Sequence, residues 1–262
     1  MNLYRNFMKT VLITGSTSGI GLGIAIEFAK AGYQIAFNGL EANGPEIAKQ
    51  IGDEFGVKTA FYDADLRNPN SIEEMVTNAI IHFGKIDVLI NNAGIQYVSP
   101  IEDFPSEKWN AIMDVNLNAV FHTSKSVWST MKEHKFGRII NIASAHGLVA
   151  SEFKIAYVSA KHAVVGMTKV LGLEGAPYGI TVNAICPGYV KTPLVEKQIV
   201  EQAKAHGISE DEVVSKIMLQ KHAIKEFVTP ETLGKLALFL ASEEASTMTG
   251  TALPVDGGWT AQ

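Results

Sequence analysis

VLITGSTSGIG, at positions 11–21, joins an apolar β-branched run to a glycine-rich turn. The apolar run predicts a β-strand, and the last residues of the segment begin the helix that follows. Gly15 permits a tight turn, Gly19 lets backbone N–H groups approach a pyrophosphate, and Gly21 lets the helix pack closely on the strand. A strand, a glycine loop and a helix in this order predict a dinucleotide site at the helix amino end.

The glycine spacing of this loop is G-x-x-x-G-x-G, which differs from the G-x-G-x-x-G dinucleotide fingerprint. Ser16, Thr17 and Ser18 add hydroxyl donors to the backbone donors. The alternative interpretation is a glycine-rich turn that binds nothing. The position of the loop between a strand and a helix favours nucleotide binding.

The rest of the chain alternates short apolar runs with longer helical patterns. Further strands are predicted at residues 34–38, 57–62, 86–90, 138–143, 181–186 and 252–255. These runs are continuously apolar, which is typical of a parallel sheet buried on both faces. The predicted fold class is therefore α/β, with a single doubly wound parallel sheet of the Rossmann type, about seven strands, and helices on both faces. We find no linker, and residues 1–262 are predicted to form one domain.

One region departs from this alternation, between Pro187 and Pro230. It holds two helical segments and no strand. Ser209 and Glu212 have the spacing of a capping box for the second segment. Helices inserted at the carboxyl end of a strand are well placed to close over a ligand, so a helical lid is predicted over about residues 190–222.

Composition excludes several classes of partner. The net charge of the 262 residues is −5, and no Lys/Arg-rich run is present, so neither nucleic acid nor an anionic membrane is an expected partner. Cys186 is the only cysteine, and no histidine spacing is typical of a metal site, so neither a disulfide nor a metal is expected. Residues 1–10 are polar and are not expected to be a signal peptide, which makes the cytoplasm the default location.

The end of the second strand bears on the choice of dinucleotide. Asn38 stands where a carboxylate usually binds the adenosine ribose, and neither this region nor the glycine loop holds an Arg or Lys for a 2′-phosphate. The lack of a cation favours NAD over NADP. Asp63 and Asp65 follow the third strand, where the adenine edge would lie. We favour Asp65, with Leu66 beside it, although each aspartate has the alternative of simple solvation.

Tyr157 and Lys161 lie one helical turn apart on the same face of a predicted helix. Alcohol oxidation requires a base for the hydroxyl proton, and a free tyrosine has a pKa of about 10. A nearby ammonium and a positively charged nicotinamide are expected to lower that pKa. Ser144 ends the fifth strand and can donate to the substrate oxygen. Alone, the Tyr/Lys spacing occurs by chance in many helices, and the other motifs give it weight.

Taken in order, these motifs resemble the short-chain dehydrogenase/reductase family over essentially the whole chain. The resemblance is carried by Thr14-Gly15-x-x-x-Gly19-x-Gly21, Asn91-Asn92-Ala93-Gly94, Ser144, Tyr157-x-x-x-Lys161 and Pro187-Gly188.

The resemblance implies further roles. Asn116 would complete a catalytic tetrad with Ser144, Tyr157 and Lys161, its backbone holding a water that relays protons through the lysine. Pro187, Gly188, Val190 and Thr192 would contact the nicotinamide carboxamide. The remaining dinucleotide contacts would come from Gly15, Thr17, Ser18, Gly19, Ile20, Gly21, Asn92, Ala93, Gly94, Tyr157 and Lys161. The family is also expected to form a homotetramer, which would cover a helix from 157 to 174 that is apolar on nearly all sides.

The residues around this center suggest the substrate. His146 and Lys154 are two potential cations in an otherwise acidic protein, and Gln96 can add an amide donor, so a small hydroxy or keto acid is expected. Further stretches resemble members of the family that act on a short 3-hydroxy acid, which implies that Gln198 and Trp259 also reach the site. Each residue also has a simpler interpretation. Lys154 could be an ordinary lysine on a loop, His146 could be a hydrogen-bonded histidine in a turn, and Trp259 could pack the C-terminal tail at a subunit contact.

Two other functions stay open. A family member could act on a different substrate, such as a 3-oxoacyl thioester or a sugar, in which case the two cations would have no carboxylate to bind. A nucleotide-binding sensor that has lost catalysis would keep the fold. The presence of all four tetrad residues argues against the sensor.

Overall fold

The structure, a computed structural model, describes residues 8–261. Residues 1–7, which make up most of the amino-terminal segment considered above, and residue 262 lie outside the described residues. The side chains at 194 and 205 are not described. The described chain forms one seven-stranded sheet in the order β3-β2-β1-β4-β5-β6-β7. Every strand pair is parallel. The strands are β1 Thr10–Ile13, β2 Gln34–Asn38, β3 Thr59–Tyr62, β4 Val88–Asn91, β5 Gly137–Ile142, β6 Ile180–Pro187 and β7 Ala252–Val255.

Helices cover both faces of the sheet, as predicted. They are α1 Gly19–Lys30, α2 Gly44–Phe55, α3 Pro69–Phe83, α4 Ser106–Met113, α5 Ala119–His134, α6 Ile155–Gly175, α7 Pro193–His206, α8 Glu210–Val213 and α9 Pro230–Leu240. Successive strand residues point to opposite faces. Val11 and Ile13 pack with α1 and α9, whereas Leu12 packs with α3 and α5. Burial on both faces explains why the strands are apolar throughout.

Strands β2 and β3 are added on one side of β1, and β4 to β7 are added on the other side. A doubly wound sheet opens a crevice at this point, at the carboxyl ends of the strands. The loops after β1, β4, β5 and β6 all end at that edge. Most of the candidate residues predicted from the sequence lie on these loops and on the elements that follow them, whereas Asp65 and Leu66 follow β3 and Trp259 follows β7.

The inserted helices form a separate layer, which we call the helical arm (residues 191–227). The arm leaves and rejoins the sheet at one narrow place, where Val190 and Val228 form a parallel bridge and the Lys191 N–H donates to the Val228 carbonyl at 2.8 Å. The arm has its own apolar cluster around Val213, Met218 and Leu219. The predicted capping box of Ser209 and Glu212 is present at the start of α8.

The helix α6 keeps part of its apolar surface in solvent. Its inner side is buried, but Val170 is 55% exposed and Leu173 is 77% exposed. The predicted need for a covering surface therefore applies to the outer side of this helix. None of the helices within residues 8–261 has the length and apolar character needed to cross a bilayer.

Candidate active site

The carboxyl ends of β4 and β5 are held together by buried amides. The Asn91 side chain donates to Asn141 Oδ1 at 2.9 Å, and the Thr123 hydroxyl donates to Asn91 Oδ1 at 2.6 Å. All three residues are buried. These bonds satisfy polar groups in the core and fix the strand ends beside the candidate catalytic side chains.

The glycine loop is shaped by positive backbone angles and by close packing. Gly15 and Gly19 have φ values of +59° and +53°, a region that disfavours other residues. A Cβ added to Gly21 would lie 2.1 Å from the Gly15 carbonyl oxygen, so a side chain cannot fit there. The Asn92 side chain donates to the carbonyl oxygens of Thr14 and Gly15, each at 2.9 Å. Asn92, which lies after β4, thus stabilises the backbone of the glycine loop.

The backbone after Asn92 is tied to the same loop. The N–H groups of Asn92 and Ala93 donate to the Thr14 hydroxyl at 2.9 and 3.1 Å. A Cβ on Gly15 would lie 3.0 Å from the Ala93 Cα. In the described structure, the loop after β4 therefore supports the shape of the glycine loop.

The amino end of α1 suits an anion. Ser18 is the N-cap residue and is exposed, but its side chain makes no capping bond. The N–H groups of the first helical turn, which includes Ile20, have no partner within the helix. Thr192 lies across the loop, with its methyl carbon 3.5 Å from the place where a Cβ of Gly19 would be. Backbone donors, a free hydroxyl and the helix dipole together fit a dinucleotide pyrophosphate.

A carboxylate that the sequence analysis missed stands beside this loop. Glu41 Oε2 accepts from the Thr17 hydroxyl at 2.5 Å and from the Leu40 N–H at 3.1 Å. The bond from Thr17 is the largest cause that holds the pKa of Glu41 below its usual value. The signal was available, because Glu41 lies three residues past the end of β2.

Asn38 has a structural role in place of the expected ribose contact. It is buried, its Oδ1 accepts from the Gly15 N–H at 3.3 Å, and its Nδ2 donates to the carbonyls of Tyr62 and Ala64, each at 3.1 Å. The side chain therefore joins the glycine loop to the end of β3. An amide can do this because it both accepts and donates.

Asp65 lies where the sequence predicted, just after β3, and Leu66 is buried beside it. The Asp65 carboxylate accepts from the Arg67 guanidinium at 2.6 Å and from the Arg67 backbone N–H at 3.0 Å. These bonds hold the pKa of Asp65 below its usual value. Its oxygens retain capacity for a further donor, since a carboxylate has about four acceptor positions.

Ser144, Tyr157 and Lys161 come together at the end of β5. The Lys161 ammonium donates to the Ile142 carbonyl at 2.8 Å and lies 5.6 Å from the center of the Tyr157 ring. The Ser144 hydroxyl oxygen accepts from the His146 N–H at 3.1 Å and also interacts with the Tyr157 phenol. The arrangement places a hydroxyl, a phenol and an ammonium around one point in the crevice.

Burial changes the pKa values of this pair. Burial raises the pKa of Tyr157, and the interaction with Ser144 opposes that rise. The Lys161 ammonium donates to the Ile142 carbonyl, and the lowering of the Tyr157 pKa expected from this ammonium together with an oxidised nicotinamide stays a prediction. Burial also lowers the pKa of Lys161 to about 8.

Asn116 approaches the same ammonium from the other side. It lies in a π-helical turn, Asp114–Asn118, between α4 and α5, and is fully buried. A Cβ added to Gly94 would lie 3.6 Å from Asn116 Oδ1 and 3.7 Å from Lys161 Nζ. The loop after β4, the π turn and the lysine therefore meet in one place. Such single π turns are frequent at functional sites.

His146 and its neighbours form the other wall of the crevice. The His146 ring shares a hydrogen bond with the Ser151 hydroxyl at 3.0 Å and packs edge-on against Trp259, with centroids 4.9 Å apart. Its ring center is 6.0 Å from that of Tyr157. Burial, then the charge of Lys154, lowers the pKa of His146 to about 4. The predicted second cation is therefore a neutral hydrogen-bonding group near pH 7.

Lys154 is the cation that lies closest in sequence to Tyr157 on this wall. It precedes α6 as the N-cap residue, is partly buried, and its ammonium lies 5.9 Å from the Tyr189 ring center. Tyr189 in turn stacks parallel to Trp259, with centroids 6.3 Å apart. Burial is the main cause that lowers the pKa of Lys154.

The C-terminal turn positions Trp259 in the wall of the crevice that His146 also forms. Asp256 accepts from the Gly258 N–H at 3.0 Å and from the Thr260 hydroxyl at 2.6 Å. Trp259 is buried by its contacts with Tyr189, His146 and His222, an aromatic cluster that the sequence analysis did not foresee.

The remaining predicted residues lie on β6, on the helical arm and on the loop after β4. Pro187 is the last residue of β6, and the Gly188 N–H donates to the Val255 carbonyl at 3.0 Å. Val190 is buried in the bridge at the base of the helical arm, and the Thr192 hydroxyl accepts from the Val195 N–H at 3.4 Å. Gln198 is partly exposed on α7, and Gln96 is exposed on the loop after β4.

Comparison with known proteins places this geometry in a family. Residues 9–203 match the family described as short chain dehydrogenase. A D-beta-hydroxybutyrate dehydrogenase of Rhizobium meliloti (strain 1021) is 51% identical over 258 residues, which cover 97% of this chain and 99% of that protein. A second D-beta-hydroxybutyrate dehydrogenase, from Cupriavidus necator, is 50% identical over 97% of this chain and 98% of its own.

A solved structure agrees in fold. The crystal structure of a variant of actinorhodin polyketide ketoreductase with NADPH superposes with a TM-score of 0.90 at 34% identity. The match covers 97% of this chain and 98% of that chain.

Proposed function

The chain belongs to the short-chain dehydrogenase/reductase family of oxidoreductases, and from that premise we propose that it oxidises (R)-3-hydroxybutyrate reversibly to acetoacetate with NAD⁺. The position of Lys154 is the observation that supports this choice of substrate. Its ammonium stands one turn before Tyr157, partly buried, on the wall formed by Tyr189 and Trp259. A short hydroxy acid would place its carboxylate near this cation and its hydroxyl near Ser144 and Tyr157.

In this proposal the proton moves through Tyr157. The phenolate oxygen takes the hydroxyl proton of the substrate as the hydrogen on C3 leaves as hydride, and the phenol returns that proton in the reverse reaction. The dinucleotide supplies the hydride acceptor and, when oxidised, a positive charge. Burial raises the pKa of the phenol, which favours the protonated form that carbonyl reduction requires.

The neighbours of Tyr157 position the reacting groups. Ser144 accepts one bond from the His146 N–H, and its hydroxyl, which interacts with the Tyr157 phenol in the described structure, would turn its hydrogen to the substrate oxygen when substrate binds. Lys161 and Asn116 would hold the proton relay and the nicotinamide ribose on the opposite side. His146 contributes a neutral donor to the carboxylate, together with Gln96 and, when the arm closes, Gln198 and Trp259.

The preference for NAD rests on Glu41. Its carboxylate lies at the hydroxyl of Thr17, next to the glycine loop, where it would accept from ribose hydroxyls and repel a 2′-phosphate. Thr17, Ser18, Gly19 and Ile20 would hold the pyrophosphate, and Asp65 with Leu66 would border the adenine. Gly188, Val190 and Thr192 would line the nicotinamide side.

The helical arm is proposed to act as the lid over the substrate, within a single domain that spans residues 1–262. Its base lies beside the predicted nicotinamide contacts, so closure of the arm would cover both ligands. The exposed outer side of α6 is the surface proposed to be covered in a homotetramer.

A single assay tests the proposed function. NADH or NADPH formation is followed by its absorbance with (R)- and (S)-3-hydroxybutyrate, each with NAD⁺ and with NADP⁺. Turnover confined to the (R) enantiomer and NAD⁺ is expected. Turnover of a 3-oxoacyl thioester or a sugar, with no activity on either enantiomer, would replace the proposed substrate. The absence of turnover with all of them, despite dinucleotide binding, would favour a sensor.

A further inference from the structure

A left-handed backbone conformation occurs at two non-glycine residues within residues 8–261, and at one of them no helix end explains it. The two are Lys135, with φ +51°, and Phe153, with φ +65°. Lys135 is the C-cap residue of α5, a position where helices commonly take this conformation. Phe153 instead lies just before the amino end of α6. Because positive φ is rare for a bulky residue and costs free energy, the contacts around Phe153 must hold it there.

The contact that fixes Phe153 is made by its backbone. The Ser99 N–H donates to the Phe153 carbonyl at 2.9 Å, whereas the residue itself is 53% exposed, so packing of the ring contributes little. Ser99 belongs to the loop after β4 that also carries Gln96. The bond therefore ties the segment before α6 to that loop.

Phe153 lies between two residues of the crevice wall. On one side, the Ser151 hydroxyl shares a hydrogen bond with the His146 ring at 3.0 Å. On the other side, the Lys154 ammonium lies 5.9 Å from the Tyr189 ring center, and the residue is partly buried. The φ angle at Phe153 sets the direction of the chain between these two contacts, so a change to negative φ would move Lys154 relative to Ser151.

We propose that Phe153 is a positioning residue whose left-handed backbone directs Lys154 toward the substrate carboxylate. The inference rests on the proposed function, in which Lys154 is the cation that binds this carboxylate. The backbone conformation matters and the aromatic ring does not. Side chains that tolerate positive φ, such as that of asparagine, can therefore replace phenylalanine, and β-branched side chains cannot.

The test compares Phe153→Asn, which favours the left-handed region, with Phe153→Val, which disfavours it. Michaelis constants are measured for (R)-3-hydroxybutyrate and for its methyl ester. Phe153→Val should raise KM for the acid about 5- to 30-fold, the factor by which a left-handed residue is disfavoured. It should change kcat less than KM, because Lys154 binds the carboxylate in the ground and transition states alike. KM for the ester should stay unchanged, since the ester has no carboxylate.

Phe153→Asn should keep the wild-type KM for the acid although it removes the ring. Phe153→Ala keeps the comparison available if Phe153→Val fails to fold, because alanine is not β-branched and should give an intermediate KM. A rise in KM as large in Phe153→Asn as in Phe153→Val would mean that the ring matters and would overturn the proposal. An equal change for acid and ester in Phe153→Val, or no change for either, would also overturn it.

Lys135→Val is the matched control. It places the same β-branched side chain at the other left-handed residue, which is exposed and ends α5. It should lower the midpoint of urea unfolding, because the strain at this position increases, and leave KM for acid and ester unchanged.

A measurement without substrate separates this inference from the proposed function. Burial is the main cause that lowers the pKa of Lys154, so a displaced Lys154 should return toward its usual pKa. Acetylation of Lys154 by acetic anhydride is followed against pH by peptide mass spectrometry. Its midpoint should be the same in the wild type and Phe153→Asn and higher in Phe153→Val. An equal or lower midpoint in Phe153→Val overturns the inference. Absence of wild-type turnover with (R)-3-hydroxybutyrate would count against the proposed function alone.

Discussion

Asn116 holds the backbone of Ile95 with both ends of its side-chain amide. Its Oδ1 accepts from the Ile95 N–H at 2.8 Å, and its Nδ2 donates to the Ile95 carbonyl at 2.9 Å. The amide is fully buried, so neither bond can be exchanged for water without a cost. The loop after β4 is thereby fixed to the π turn beside Lys161.

Asn116→Asp should break one of these two bonds and displace the loop after β4 from its position beside Lys161. A carboxylate can accept from the Ile95 N–H but faces the carbonyl without a donor. We expect the free energy of unfolding to fall by about 1–3 kcal/mol and kcat to fall by about 10- to 100-fold through misplacement of the relay. Urea unfolding and steady-state kinetics measure both.

Asn118→Ala is the control for that variant, because Asn118 is exposed and its side-chain amide donates to the Asp114 carboxylate of the same turn. It should retain wild-type kinetics. If Asn116→Asp keeps full activity, the bond to the Ile95 carbonyl has no part in positioning Lys161.

Tyr157→Phe should remove proton transfer and leave the fold unchanged. The ring still packs near His146, but the atom that exchanges the proton is gone. Turnover is expected to fall by at least about 10²- to 10⁴-fold, while NADH binding, followed by fluorescence, stays close to that of the wild type. Tyr178→Phe, on a partly exposed ring that packs under Lys132, should change neither. Retention of most activity in Tyr157→Phe would refute the assignment of the base.

The pH dependence of KM should identify Lys154 as the cation that binds the carboxylate. The pKa of His146 is lowered to about 4, so this ring stays neutral from about pH 6 to pH 8 and KM should be flat there. The pKa of Lys154 is lowered from its usual value, so its charge is present below that pKa and is lost as pH rises through it. KM should therefore rise on the alkaline side.

Two variants sharpen that profile. His146→Gln should leave the shape of the KM profile unchanged, because it replaces one neutral donor with another. Lys154→Gln should raise KM at neutral pH and remove the alkaline rise. A KM that climbs between about pH 6 and pH 7 in the wild type would mean that His146 is charged when substrate binds.

Glu41→Gln should weaken discrimination between the two dinucleotides. Loss of the carboxylate removes the repulsion of a 2′-phosphate and the charge-assisted bond from ribose. The ratio of kcat/KM for NAD⁺ to that for NADP⁺ should fall by about 10- to 100-fold, the range for a charged hydrogen bond. Glu46→Gln, an exposed carboxylate in the first turn of α2, is the matched control and should leave the ratio unchanged. An unaltered ratio in Glu41→Gln would place the preference elsewhere.

Much of the fold was predictable because apolar runs were bounded by turn residues. β2 and β7 were predicted to the residue, as 34–38 and 252–255. The prediction for β3 began two residues early, at 57, because Val57 is apolar but its N–H bonds to the Gly52 carbonyl at the end of α2. The π turn at Asp114–Asn118 was not predictable, since its bonding depends on the packing of Asn116 and not on a local pattern.

The residues that form the site were predictable from the sequence, but the charges that some of them carry were less so. Tyr157, Lys161 and Ser144 occur at spacings that bring them to one strand end, which the structure bears out as geometry. The charge of His146 depends on burial by Trp259, a residue more than 100 positions away in the chain. Glu41 reaches back to Thr17 from a loop, so its role depends on a side-chain direction that no pattern encodes.

The bridge between Val190 and Val228 makes the helical arm a closed unit. The chain enters and leaves the arm at a single point, so the end-to-end distance is constant whatever lies between. Residues can be inserted or removed within it at little entropic cost and without shifting the register of β6 or the start of α9. The length of the arm can thus change while Lys154 and His146, which lie outside it, keep their places beside Tyr157.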